Sequence, residues 1–310
     1  MKSFLALIKK EIMEYKASFV FTPIVVGLLV IGIMVLSALS TEVHTGSDTP
    51  FLDVRYLAKM PINIREWFLY SLMNDVTLIL RVVLILVSIY YLSGAFFNER
   101  KDGSDLFWRS LPINQWSQVS AKFITASLIL PSIYFAVIVV GQLCSLLLAT
   151  YLSTGHDVSI IEHIWEPAHP LQTWTLSYSF ILLDILWLAP VYCWLLLCSA
   201  FASRAPLLTA LIPIMVVGIA ESWVLDSHHV LKGILWHSCP QELMMWIENL
   251  KHRLLPSELV NLVSTPEESL IPNRAQWFST FNSTTLWVGS GLAAVFFVAT
   301  VQVRNYYQES

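Results

Sequence analysis

The sequence predicts an all-α integral membrane protein with six transmembrane helices and both termini in the cytoplasm, and three observations predict it. Hydrophobic residues make up 56% of the chain and charged residues 13%, against roughly 25% charged in a soluble domain, and the mean hydropathy is +0.64. Six apolar runs reach about 20 residues, the length a helix needs to cross the hydrocarbon core. The bases fall unevenly between those runs, and that asymmetry sets the orientation.

Taken in order, the chain opens on a segment, 1–17, in which Phe4, Leu5, Ile8, Ile12 and Tyr15 share one helical face and Lys2, Lys9, Lys10 and Lys16 take the other. This predicts an amphipathic helix lying on the inner leaflet, with a plain extension of the first span as the alternative. It is not a cleavable signal, because the apolar run behind it is too long and five more follow. The predicted spans are Ser18–Leu39, Phe68–Phe97, Val119–Tyr151, Trp174–Phe201, Ala205–Leu225 and Leu286–Val303. An even number returns both termini to one side. Lys2, Lys9, Lys10, Lys16, Arg100, Lys101, Arg109, Lys122, Arg204 and Arg304 flank one set of span ends and mark it as cytoplasmic. The chain is therefore one transmembrane domain, 1–310, with a cytoplasmic loop at 98–118 and a large outer loop at 226–285.

A net charge of -4, from 22 acids and 18 bases, is too mild to point to nucleic acid. Cys144, Cys193 and Cys198 lie in apolar stretches and Cys239 in a loop, so no disulfide framework is implied.

The polar loop between the second and third spans reads Asn98-Glu99-Arg100-Lys101-Asp102-Gly103-Ser104-Asp105-Leu106-Phe107-Trp108-Arg109-Ser110-Leu111-Pro112. A connection needs only to be polar, yet this one sets Phe107 and Trp108 in a charged frame, the composition of a docking surface. Aromatics settling at the membrane interface are the competing reading. Ser104 and Asn114 are placed to cap helices that follow them, and Pro112 to stop the first.

This loop, with the six-span layout around it, resembles the ABC-2 type transport permeases. The resemblance implies that the loop forms a coupling helix seated on a separate cytoplasmic ATP-binding subunit, through Glu99, Arg100, Lys101, Asp102, Phe107, Trp108 and Arg109. It also implies a second permease copy or homologue as partner, a lipid-embedded homodimer in a multi-pass arrangement in the bacterial inner membrane, and export as the direction. No Gly-Lys pair occurs anywhere, so the chain lacks the phosphate-cradling P-loop. It is predicted not to be an enzyme, with ATP and Mg bound by the partner subunit.

Ionisable groups inside spans are expensive and mark function or pairing. Asn74, Asp75 and Arg81 fall in the second span, Asp184 in the fourth and Glu221 in the fifth. Arg81 and Asp184 come at similar depth, which predicts an ion pair between them; Asp75 and Glu221 lie nearer the outer face, where the resemblance implies that they line an exit path and solvation at the interface is the alternative. His156, Asp157, Glu162, His163, Glu166 and His169 form one outer group, and His228, His229, His237 and Cys239 another. Neither has the tight spacing of a structural zinc site, so no metal is predicted. The outer loop, about 60 residues, is too long for a bare connection and reads as short amphipathic helices; the resemblance implies that they gate the outer end of the pathway, and a plain cap on the bundle is the competing reading. Two rivals from other classes stand beside the permease: an ion-coupled secondary transporter using Asp75, Arg81 and Asp184, and an intramembrane enzyme. The first lacks a visible internal repeat, and the second lacks Gly-x-Ser-x-Gly and His-Glu-x-x-His.

Overall fold

The computed structural model describes residues 2–43, 62–104, 114–153, 159–224 and 274–309. Every element among them is helical. Five stretches are long and apolar enough to cross a membrane: Ala17–Leu36, Leu72–Gly94, Gln115–Tyr151, Ile161–Phe201 and Thr284–Tyr306. Pro206–Val217 is a shorter apolar stretch within the helix Pro206–Val224.

Lys2–Glu14 (α1) does not turn aside at Ala17-Ser18. Backbone bonds continue from Tyr15 N to Glu11 O and from Phe19 N to Tyr15 O, at 3.0 and 2.9 Å, through a π-helical turn, Ala17–Phe21, into Thr22–Val43 (α2). The amino-terminal segment is thus the continuation of the first span, and it packs along the start of the third, Gln115–Ile124. The inward face also differs from the one its apolar residues suggest. Leu5 is 62% exposed whereas Glu11 is 3% exposed. An apolar count misses this because Glu11 is drawn inward by charged partners, described below.

Residues Ile62–Gly94 (α3), Leu130–Ser153 (α4) and Pro170–Phe201 (α5) form the middle of the bundle, with Thr284–Glu309 (α6) lying against α5. Phe19, Tyr91 and Tyr134 are fully enclosed there. Phe19 and Tyr15 meet the Tyr91 ring edge-on, with centroids 5.1 and 5.0 Å away, the geometry aromatic quadrupoles favour. Without water to drive them together, membrane helices depend on close contact between small residues. Gly141 provides one such approach: a Cβ there would sit 2.6 Å from Val76 Cγ1. Valine's branched side chain has few rotamers to retreat into. Gly141→Ala is expected to cost about 1–3 kcal/mol, read as a lowered unfolding midpoint in detergent. Gly32→Ala, which meets nothing within 4 Å, is the control and should leave the midpoint unchanged or slightly raised.

Gln115–Tyr151 is 37 residues long, well beyond the roughly 20 that cross the hydrocarbon core. Part of the surplus lies at its start, where Gln115, Gln118 and Lys122 are buried although polar. The bundle therefore continues, at this one end, into a collar with a polar core.

Candidate functional site

Four segments build the collar core. α1 and the turn residue just after it contribute Lys10, Glu11, Glu14 and Tyr15, α3 contributes Tyr91, the turn Phe97–Lys101 contributes Glu99, and Gln115–Ile124 contributes Lys122. Lys122 Nζ lies 2.9 Å from Glu11 Oε1 and 3.0 Å from Glu99 Oε1. Lys10 Nζ lies 2.7 Å from Glu99 Oε1, 3.5 Å from Glu11 Oε1 and 3.3 Å from Glu14 Oε2. Tyr91 donates its hydroxyl to Glu11 Oε2 at 2.8 Å. Buried charges persist only when paired and hydrogen-bonded, and each of the two buried carboxylates, Glu11 and Glu99, has two ammoniums.

Beside this network, two cations lie over the Phe96 ring. Lys122 Nζ sits 5.2 Å and the Arg304 guanidinium 4.6 Å from its ring centroid, within cation–π range. Arg304 also donates to Gln115 Oε1 and Gln118 Oε1, at 3.2 and 3.0 Å, so the last helix meets the same collar as α1.

The root of the 98–112 loop is fastened to this framework on every side. Phe96 N and Phe97 N donate to Ser199 Oγ at 2.9 and 3.2 Å. Arg100 donates to the carbonyls of Ser199, Ala200 and Ala202. These carbonyls close the last turn of α5, where helices leave acceptors without internal partners and a cation complements the dipole. Asn98 donates to Tyr15 Oη at 3.1 Å. The structure thus gives Glu99 and Arg100 a task inside the chain, while Lys101 and Asp102 face outward. Phe107, Trp108 and Arg109 lie outside the described residues. Asn114 caps the third span, its side chain accepting from Trp116 N at 3.0 Å.

Burial works against the Glu99 carboxylate, but the Lys122 and Lys10 ammoniums and the hydrogen bonds they donate outweigh it and hold Glu99 below its ordinary pKa. For Lys10, burial and the Lys122 charge both work against the ammonium, and Glu99 and Glu11 outweigh them to hold it above the ordinary lysine value. A lowered acid stabilises the fold at all pH values above its unfolded pKa, about 4.3, and loses that contribution as pH falls through the folded value. A raised lysine stabilises below its unfolded pKa, about 10.4, and loses its contribution as pH rises through the folded value. Stability from this pair is therefore expected to be flat from about pH 5 to about pH 9 and to fall below about pH 4. Unfolding midpoints across that range check it; Lys10→Gln, which leaves Glu99 one ammonium, should flatten the acid limb.

Deeper in the bundle, the structure brings Arg81 and Asp184 together: Nη1 lies 3.9 Å from Asp184 Oδ2, and Nη2 donates to the Ser177 carbonyl at 3.1 Å. Asn74 and Asp75 are half-buried on the same helix as Arg81. Gln142 donates to Thr77 Oγ1 at 2.7 Å. Glu221 lies on Pro206–Val224. Among the described residues no three His, Cys, Asp or Glu gather as a metal site; His156, Asp157, His228, His229, His237 and Cys239 lie outside them.

The charge network escapes a reading of the sequence because its members look ordinary one by one. Lys10, Lys122 and Arg304 pass as bases marking a membrane face, and Glu11 passes as one charge on a polar stripe. The one available signal is the spacing of Phe4, Leu7, Glu11 and Tyr15, which places an acid on an otherwise apolar helical face. Compared with family models, with curated proteins and with solved structures, the chain matches none.

Proposed function

We propose that the chain is the membrane-spanning subunit of an ABC-2 type exporter, driven by ATP that a separate cytoplasmic subunit hydrolyses. The observation that carries this reading is the built pedestal under the 98–112 loop. A connection between two spans has no need of buried charges from three segments, but a loop that must receive force without folding away does. Lys101 and Asp102 face outward from that pedestal, and the next residues supply Phe107, Trp108 and Arg109 as anchors for a partner.

Six crossings are part of this proposal. That count is supported by the packing of α1 on Gln115–Ile124 and by the bonds from Arg304 to Gln115 and Gln118, which bring the first and last described helices to one collar at one end of the bundle. An even number of crossings fits that arrangement, and we take Pro206–Val224 as the sixth. That end, rich in Lys and Arg, is the cytoplasmic one in a bacterial inner membrane. A second permease completes the pathway, and two ATP-binding subunits hold ATP and Mg. Their closure pushes on the pedestal, and the spans joined to it move as rigid rods.

The test is purification of the tagged chain from its own host in mild detergent, with mass spectrometry of the soluble protein that accompanies it. An ABC-type ATPase is expected, and joint replacement of Phe107 and Trp108 by Ala should abolish its recovery without lowering the amount of folded permease. A stable preparation with no ATPase would overturn the reading and favour a carrier built on Arg81 and Asp184.

A further inference from the structure

Burial divides the charge network into a fixed part and a loose part. Glu11, Glu99 and Lys122 are all at most 5% exposed, whereas the side chains of Lys10 and Glu14 are 24% and 38% exposed. Parting a fully buried pair strands a charge in a medium that cannot solvate it. Parting a partly solvated one costs little, since water takes the partner's place. Lys10 has a carboxylate on either side, with Glu99 at 2.7 Å and Glu14 at 3.3 Å. Glu14 is one turn along the same helix, a spacing at which side chains meet. A lysine's four-carbon stem and rotatable ammonium can serve either acceptor without backbone movement.

We propose that Lys10 is a movable catch, alternating between Glu99 and Glu14, which fastens the Phe97–Lys101 turn to α1 or releases it while Lys122 keeps Glu11 in place. When Lys10 sits on Glu99, the root of the loop and α1 form one body. When it sits on Glu14, the turn keeps Lys122 and the Asn98–Tyr15 bond, 3.1 Å long, and gains freedom to tilt. Glu99 is buried and accepts a hydrogen bond from Lys10 at 2.7 Å, whereas Glu14 is partly exposed and lies 3.3 Å away. The catch therefore rests on Glu99, and a push from outside the chain moves it to Glu14 while Lys122 still neutralises the buried acid. Its consequence for docking rests on the permease reading above; the catch itself is measured without a partner.

Hydrogen exchange of the purified full chain in lipid nanodiscs at neutral pH tests it. The reporters are the amides of Arg100, Asp102 and Gly103, which bond the carbonyls of Phe96, Asn98 and Arg100 at 3.2, 2.9 and 3.2 Å. Lys10→Gln removes the fastened position and is expected to speed their exchange about two- to fivefold, while Glu14→Gln removes the released position and is expected to slow it by a smaller factor, because the hydrogen-bonded Glu99 position already predominates. Lys10→Arg, which can still pair with either acid, stays near the unsubstituted rate. Amides of residues 7–15 are unchanged in all three, because Lys122 and Glu11 still hold α1. Faster exchange in both Gln variants, the signature of general loosening, would overturn the proposal, as would no response to Glu14→Gln. Failure to capture an ATPase would sink the permease reading and leave these exchange rates as they are.

Discussion

Lys122→Met is expected to lower folding stability by about 3–5 kcal/mol, the cost of removing one partner from a buried ion pair. The Lys122 ammonium stands between Glu11 and Glu99, at 2.9 and 3.0 Å, and all three residues are buried. Without it, two carboxylates face each other with Lys10 as the nearest cation, and that ammonium is already 2.7 Å from Glu99. Glu11 is left 3.5 Å from Lys10 with one hydroxyl bond from Tyr91. Against a total stability of about 5–15 kcal/mol, such a loss is visible as a large drop in folded yield and unfolding midpoint. The sign can be checked by neutralising the stranded acid. Glu11→Gln added to Lys122→Met removes the uncompensated charge, and Gln can still accept the Tyr91 hydroxyl, so part of the midpoint should return. A Lys122→Met protein within about 0.5 kcal/mol of the unsubstituted one would place it among ordinary surface substitutions and show that the network holds nothing.

The contrast between what the sequence discloses and what it hides follows from the kind of physics involved. Crossing segments are legible because burial in hydrocarbon is a property of about 20 consecutive residues, summed locally. The Arg81–Asp184 pair is legible for the same reason: charges inside apolar runs stand out, and counting residues gives their depth. α1 is harder, since Phe4, Ile8, Ile12 and Tyr15 on the one hand and Phe4, Leu7, Glu11 and Tyr15 on the other both fit a 3.6-residue period. Choosing between them requires knowing that Lys122, more than a hundred positions away, waits to meet Glu11. Likewise, Glu99 and Arg100 read as loop charges open to a partner until Lys10, Lys122 and the end of α5 are placed around them. Long-range pairing between residues of common types leaves no local pattern.

Arg81→Ala and Asp184→Ala are expected to be the most damaging single changes outside the collar. Each leaves the opposite charge at bilayer depth, where an uncompensated Arg or Asp costs about 2.5–3.5 kcal/mol on insertion scales. The pair is not tight, with 3.9 Å between Nη1 and Oδ2, and Arg81 takes a further bond on the Ser177 carbonyl at 3.1 Å. That second bond makes the two variants unequal. In Asp184→Ala, Arg81 keeps the Ser177 carbonyl as an acceptor, whereas in Arg81→Ala, Asp184 loses the cation that neutralises it. Arg81→Ala should therefore be the worse of the two in folded yield, and the double variant should recover a large share, with a coupling of about 1–3 kcal/mol between neighbours. Recovery to near the unsubstituted level would assign the pair to structure, since neither charge is then needed once the other is gone. A double variant that folds as well as the original yet cannot move cargo would assign it to the pathway instead. If the double variant is no better than Arg81→Ala, the two charges are not coupled at all.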